Sequence, residues 1–125
     1  MQDYHQLEVW EKAHELALEV YRVTAEFPTA EKFGLTAQLR RSAVSIPANI
    51  AEGSARSSDR EFARFLTIPL GSVAEADYHT LLARDLRLMD TTVHASVEER
   101  VAEVRRMLIS LRKTVLSGSK LKAQS

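Results

Sequence analysis

The residues from Glu31 to Gly53, EKFGLTAQLRRSAVSIPANIAEG, constrain the fold more than any other stretch. Leu35, Leu39, Ala43, Ile46 and Ile50 recur at steps of four, four, three and four, which draws one apolar stripe down one side of a helix. Arg40 and Arg41 fall off that stripe, about 100° and 200° around the helix from Leu39. Pro47 interrupts the pattern. It removes a backbone donor and crowds the preceding turn, so the helix is expected to kink there. Gly53 stands where a helix would stop, because glycine enters the left-handed conformation without a side-chain clash.

The rest of the chain repeats the same periodicity. A first helix is expected from between Tyr4 and Glu8 to about Glu26, with Val9, Ala13, Leu16, Val20 and Phe27 as its stripe. Trp10 and Tyr21 lie at the edge of that stripe, and Phe27-Pro28 stops the helix. Thr29 is the expected N-cap of the second helix, with Glu31 in its first turn. Ser58 and Glu61 have capping-box spacing and open a third helix, expected from Asp59 to about Met89. Phe62, Leu66, Pro69, Val73, Ala76, Thr80 and Ala83 form its stripe, and Pro69 with Gly71 should bend it. Ser96 and Glu99 repeat the capping pattern before Val97, Val101, Val104, Leu108, Leu111 and Val115. Gly118 is expected to end that fourth helix, leaving residues 119–125 as a flexible basic tail.

Four amphipathic helices joined by short connections hide their stripes by packing together. The expected fold is all-α, an up-down-up-down antiparallel four-helix bundle in one domain over residues 1–118. With four glycines and three prolines in 125 residues, few turns are available for anything more elaborate. The absence of cysteine excludes disulfides and thiolate chemistry. No secretory pattern opens the chain and no long apolar run interrupts it, so a cytoplasmic location without membrane contact is expected.

The charge balance is neutral, yet the charges are not mixed evenly. Residues 1–31 carry two basic and seven acidic side chains, residues 32–64 six and three. Residues 65–99 carry two and six, and residues 100–125 seven and one. The sign therefore alternates helix by helix. Either the helices neutralise one another, or basic surface is gathered on one face for a partner.

The basic candidates are Arg40 and Arg41 on the second helix, and Arg56, Arg60 and Arg64 around the start of the third, which could share one surface. Arg105, Arg106, Arg112 and Lys113 form a second group on the fourth helix. Such charges suit phosphate, since displacing condensed counterions supplies most non-specific affinity for nucleic acid. No aromatic residue is interleaved with them, so stacking on bases is not indicated. Catalysis is poorly supported. His5, His14, His79 and His94 are scattered, and Glu11 with His14 gives only one copy of the Glu-x-x-His spacing that a di-metal bundle needs twice. No phosphate-cradling glycine loop is present, so no metal, cofactor or small-molecule substrate is expected.

LEVWEKA (Leu7–Ala13), Phe27-Pro28, the Glu31–Gly53 stretch and REFARFLTIPLGSVAEADYHTLLARDL (Arg60–Leu86) together resemble the bacterial four-helix-bundle proteins of the 23S rRNA-intervening-sequence family. The resemblance spans about Tyr4 to Leu116. Its most specific part is SIPANIAEG (Ser45–Gly53) followed by Gly71, Ser72 and Glu75. It implies a ring-like homopentamer with no known catalytic activity. It also implies kinship with accessory proteins of diversity-generating retroelements, which bind nucleic acid through basic surface and partner a reverse transcriptase. Within the motif, Ser45, Pro47, Asn49, Glu52 and Gly53 have two readings, as with Gly71, Ser72, Glu75, Trp10 and Tyr21. They either shape the fold itself or shape a subunit interface. Two functions of different class follow: an oligomeric bundle that contacts structured RNA, DNA or a nucleoprotein, and a protein-interaction scaffold whose charged faces pair between subunits.

Overall fold

The computed structural model describes the backbone of residues 3–124 and the side chains of residues 3–118, all of it helical or loop. After a short 3-10 turn at Tyr4–Gln6, α1 spans Glu8–Thr24. A second 3-10 turn at Thr29–Glu31 precedes α2, Leu35–Ser54. Then come α3 (Asp59–Phe65), α4 (Thr67–Asp85) and α5 (Thr91–Gln124). Among the described residues there is no strand, and no helix is long and apolar enough to cross a membrane.

The apolar stripes lie inside. Leu16, Leu39, Ile46, Ile50, Leu66 and Leu108 are fully buried, joined by Val20, Val73, Val97, Val101 and Val104. Each of the long helices α1, α2, α4 and α5 packs on two others, in the cyclic order α1, α2, α4, α5. The contacts run in opposite chain directions. Ser42 faces His79 while Ser45 faces Ser72, and Lys12 meets Glu103 while Glu15 meets Arg100. One end of the bundle therefore gathers the C-terminus of α1, the start of α2 and the α4–α5 connection. The other end gathers the start of α1, the end of α2, α3 and the later part of α5.

Several boundaries differ from those read in the sequence, each for a local reason. Thr29 does not cap α2; it begins the 3-10 turn, and the Glu31 side chain instead accepts from the Leu35 N–H at 3.1 Å. Gly53 does not end α2. The helix continues to Ser54, and Gly53 is buried because a Cβ there would meet Phe65 at 3.0 Å and Phe62 at 3.4 Å. Its function is close approach, not a left-handed turn. The single third helix is two, α3 and α4, separated at Leu66. Pro69 is the third residue of α4, in the first turn, where its missing N–H would have had no helical acceptor. Pro47 lies within the one span of α2, buried.

The fourth helix begins six residues before Val97. Asp90, and not Ser96, caps it: its Oδ1 accepts from the Val93 N–H at 2.8 Å. Gly118 does not end α5, which runs on to Gln124 through the segment expected to be a flexible tail. Between α4 and α5, Arg87 takes φ 61°, the left-handed position. The Leu88 N–H reaches the Ala83 carbonyl at 2.9 Å and the Arg87 N–H that of Arg84 at 2.9 Å. This is the Schellman closure usually made with glycine.

Candidate nucleic-acid interface

The five arginines from Arg40 to Arg64 do not share a surface. Arg40 lies near the start of α2 and Arg56 in the connection just past its end, so the two stand at opposite ends of the bundle. Arg40 is held within the fold. Its Nε donates to Thr24 Oγ1 at 2.7 Å, its Nη2 to the Tyr21 carbonyl at 3.4 Å, and its guanidinium lies 4.4 Å over the Tyr21 ring. A cation placed on the last turn of α1 also complements that helix's dipole. Arg41 is exposed and hydrogen-bonded to Gln38.

The other group converges. Ser58 caps α3, accepting from the Glu61 N–H at 3.2 Å, and so directs Arg60 and Arg64 outward from that helix. Arg112 of α5 donates from Nε to the Ala63 carbonyl at 3.1 Å, tying the two helices together. Arg60, Glu61, Arg64, Arg112 and Leu116 then line one shallow groove of about 420 Å³. The only acid in this lining is Glu61, 3.7 Å from Arg64, and Arg64 is 82% exposed. Arg56 sits nearby in the α2–α3 connection, stacked 4.3 Å over Phe65 and paired with Glu52 at 3.2 Å. Its Nε is buried without a hydrogen-bond partner.

The α5 pair is divided. Arg105 turns toward α4 and meets Asp77 at 3.6 Å, whereas Arg106 is exposed, as is Lys113. Part of the helix-by-helix charge alternation is consumed inside the chain. Lys12–Glu103, Arg100–Glu15 and Arg105–Asp77 all bridge oppositely charged helices.

The motif residues gather on the α2–α4 seam. Asn49 Nδ2 donates to the Ser45 carbonyl at 2.8 Å and to Ser45 Oγ at 2.9 Å, and Ser45 Oγ lies 2.8 Å from Ser72 Oγ. Ser72 in turn donates to the Ile68 carbonyl at 3.3 Å. The Asn49 amide therefore serves the seam and the carbonyl one turn back, not the Ala43 carbonyl from which Pro47 withholds its donor. Gly71 is exposed with open space where a Cβ would be, and Glu75 is exposed beside it. Trp10 stacks on His14, ring centroids 5.3 Å apart, with Tyr4 edge-on at 5.0 Å. Tyr21 is 46% exposed under Arg40.

On the same seam, His79 Nδ1 lies 3.4 Å from Ser42 Oγ. Burial lowers the imidazole pKa below its ordinary value; Glu75 opposes this and Arg41 adds to it. Among the described residues no group of three or more His, Cys, Asp or Glu side chains could hold a metal ion.

The sequence profile described as 23S rRNA-intervening sequence protein matches residues 5–110. The chain belongs to that family. Among solved structures it is similar to a crystal structure from Bacteroides thetaiotaomicron, described as a protein of unknown function from the S23 ribosomal protein family. The two share 27% identity with a TM-score of 0.75, over 84% of this chain and 98% of the other. A comparison with curated proteins returns no match. Membership of the intervening-sequence family and the all-helical fold accord with the resemblance carried by SIPANIAEG.

Phe65 stacks under Arg56, and no sequence signal marks it as that platform. Arg87 lacks any local sign of its left-handed backbone.

Proposed function

We propose that this family member is a non-catalytic bundle that assembles with copies of itself and grips structured RNA, or a nucleoprotein, at its α3–α5 end. The observation that carries this is the convergence of Arg60, Arg64 and Arg112 on one groove with Glu61 as the sole acid in its lining. Guanidinium groups present several donors in a fixed fork, which suits phosphate oxygens. Arg112 is held by the Ala63 carbonyl through Nε, a bond that does not use its terminal nitrogens. The groove has no aromatic lining, so it fits backbone phosphates and not unstacked bases.

The test is titration of a structured RNA with the full chain over a range of salt. Binding should weaken steeply as salt rises, and the joint variant Arg60→Ala/Arg64→Ala/Arg112→Ala should lose it for all sequences alike. Salt-insensitive binding, or none at low ionic strength, overturns the reading.

The cross-helix ion pairs favour a second reading. Since Lys12, Glu15, Arg100 and Glu103 already pair inside the chain, the remaining exposed charges could pair between subunits, making a scaffold that binds no nucleic acid. That reading predicts an assembly that dissociates when salt is raised and never retains RNA.

A further inference from the structure

Another concavity lies away from the α3–α5 groove, on the outer side of α1 and α2 at the opposite end of the bundle. It has a volume of about 660 Å³ and a largely apolar lining that includes Ala37 and Val44 of α2, Phe33 of the turn before it and Tyr21 of α1. Phe33 is 89% exposed, the most exposed large hydrophobic residue among those described. Leaving a phenyl ring in water forgoes its burial energy, and no described residue covers it.

Every charged residue in the lining is a cation: Lys32, Arg40 and Arg41. In a neutral chain this absence of carboxylates sets the groove apart from its surroundings. The cations are also held in place before any partner arrives. Lys32 lies 5.5 Å over the Phe33 ring, Arg40 is fixed by Thr24 and Tyr21, and Arg41 is bonded to Gln38. Cations ordered in advance lose little freedom on binding.

Ala37 and Val44, seven residues apart, share one side of α2, and Phe33 in the turn before the helix extends that apolar strip, with cations in the same lining. A complementary partner presents an apolar ridge flanked by carboxylates. We infer that this face is a docking site for an acidic amphipathic helix of another protein, laid along α2 with its apolar side chains against Phe33 and Val44 and its carboxylates toward Lys32 and Arg41. This is helix-in-groove recognition, with charge selecting the partner.

The probe is a fluorescent helical peptide of about 18 residues, with leucines at i, i+3/i+4 and i+7 and glutamates on the flanks. A companion peptide carries lysine in place of glutamate. Fluorescence anisotropy with the full chain should show saturable binding of the acidic peptide and none of the basic one. Phe33→Glu and Arg41→Glu should each weaken it by roughly tenfold or more. Arg64→Glu, in the distant groove, should leave peptide affinity unchanged while weakening RNA, so the two sites fail separately. Because Phe33 and Arg41 are exposed, unaltered thermal melts verify that the variants are folded.

Absent or unsaturable binding of the acidic peptide, equal binding of the two peptides, or indifference to Phe33→Glu overturns the inference. It is also overturned if sedimentation shows that Phe33→Glu dissolves the protein's own assembly, which would make a second copy the occupant, or if RNA displaces the peptide.

Discussion

The two ends of the bundle are both rich in arginine and use it in opposite ways. Where α1 ends and α2 begins, Arg40 spends its donors on Thr24 and the Tyr21 carbonyl and its flat face on the Tyr21 ring. Where α3 meets α5, Arg60 and Arg64 point out, and Arg112 uses one nitrogen on the Ala63 carbonyl to hold the rest of its head in the groove. Each arginine is equally basic in the sequence. What separates them is whether a neighbouring helix offers acceptors at the right height, and only the packed structure supplies that. An arginine count is therefore a poor measure of binding surface.

Substitutions at the two ends should come apart accordingly, and the largest effect is expected at the open end. Replacing Arg60, Arg64 and Arg112 together by alanine should weaken RNA binding by roughly a hundredfold near 0.1 M salt and flatten the salt slope by up to about three. Filter binding measures both quantities. An Arg40→Ala protein that loses as much affinity would erase the distinction between the ends.

Next comes Gly53→Leu. The side chain has no room against Phe62 and Phe65, so unfolding in urea should show a loss of about 2–3 kcal/mol. A neutral result would mean that α3 is free to move away. Arg40→Ala should cost about 1–2 kcal/mol in the same assay, while sparing RNA binding.

A subtler contrast concerns pH. Since burial lowers the His79 pKa below the ordinary value of 6.5, the unfolded chain takes up this proton before the folded one does. Stability should be fullest above that ordinary value, fall as pH drops through it, and level off once the folded imidazole is protonated. His79→Gln should remove that component. Urea melts of both proteins across this window that are parallel at every pH would exclude it. The smallest effect is expected at Arg87, whose left-handed backbone glycine adopts freely. Arg87→Gly should stabilise by about half a kcal/mol, visible as a raised denaturation midpoint.

Much of the fold was legible because helical periodicity sums over many residues. All five stripe residues of α2 and all seven assigned from Phe62 to Ala83 are buried. Element ends were less legible, since each depends on one or two residues with competing meanings. Gly53 and Gly118 both look like stops, yet the first makes room for phenylalanine and the second lies within α5. Asp90 and Ser96 are both good caps, and only the turn closed through Arg87 and Leu88 decides for Asp90. The break at Leu66 falls one turn before Pro69, which has no N–H to offer the Phe65 carbonyl. The candidate site was half legible: Arg60 and Arg64 share a face by their spacing, but Arg112 joins them from a helix about fifty residues away.

Ser45 Oγ accepts from Asn49 Nδ2 within α2 and meets Ser72 Oγ of α4 at 2.8 Å, and Ser72 also reaches back to the Ile68 carbonyl of its own helix. The two hydroxyls meet in one alignment of α2 against α4. Sliding either helix by a turn, about 5.4 Å, would keep greasy contacts available yet part the two hydroxyls that meet between α2 and α4. This linkage thus works as a locating pin: it adds little strength and forbids the bundle a second setting.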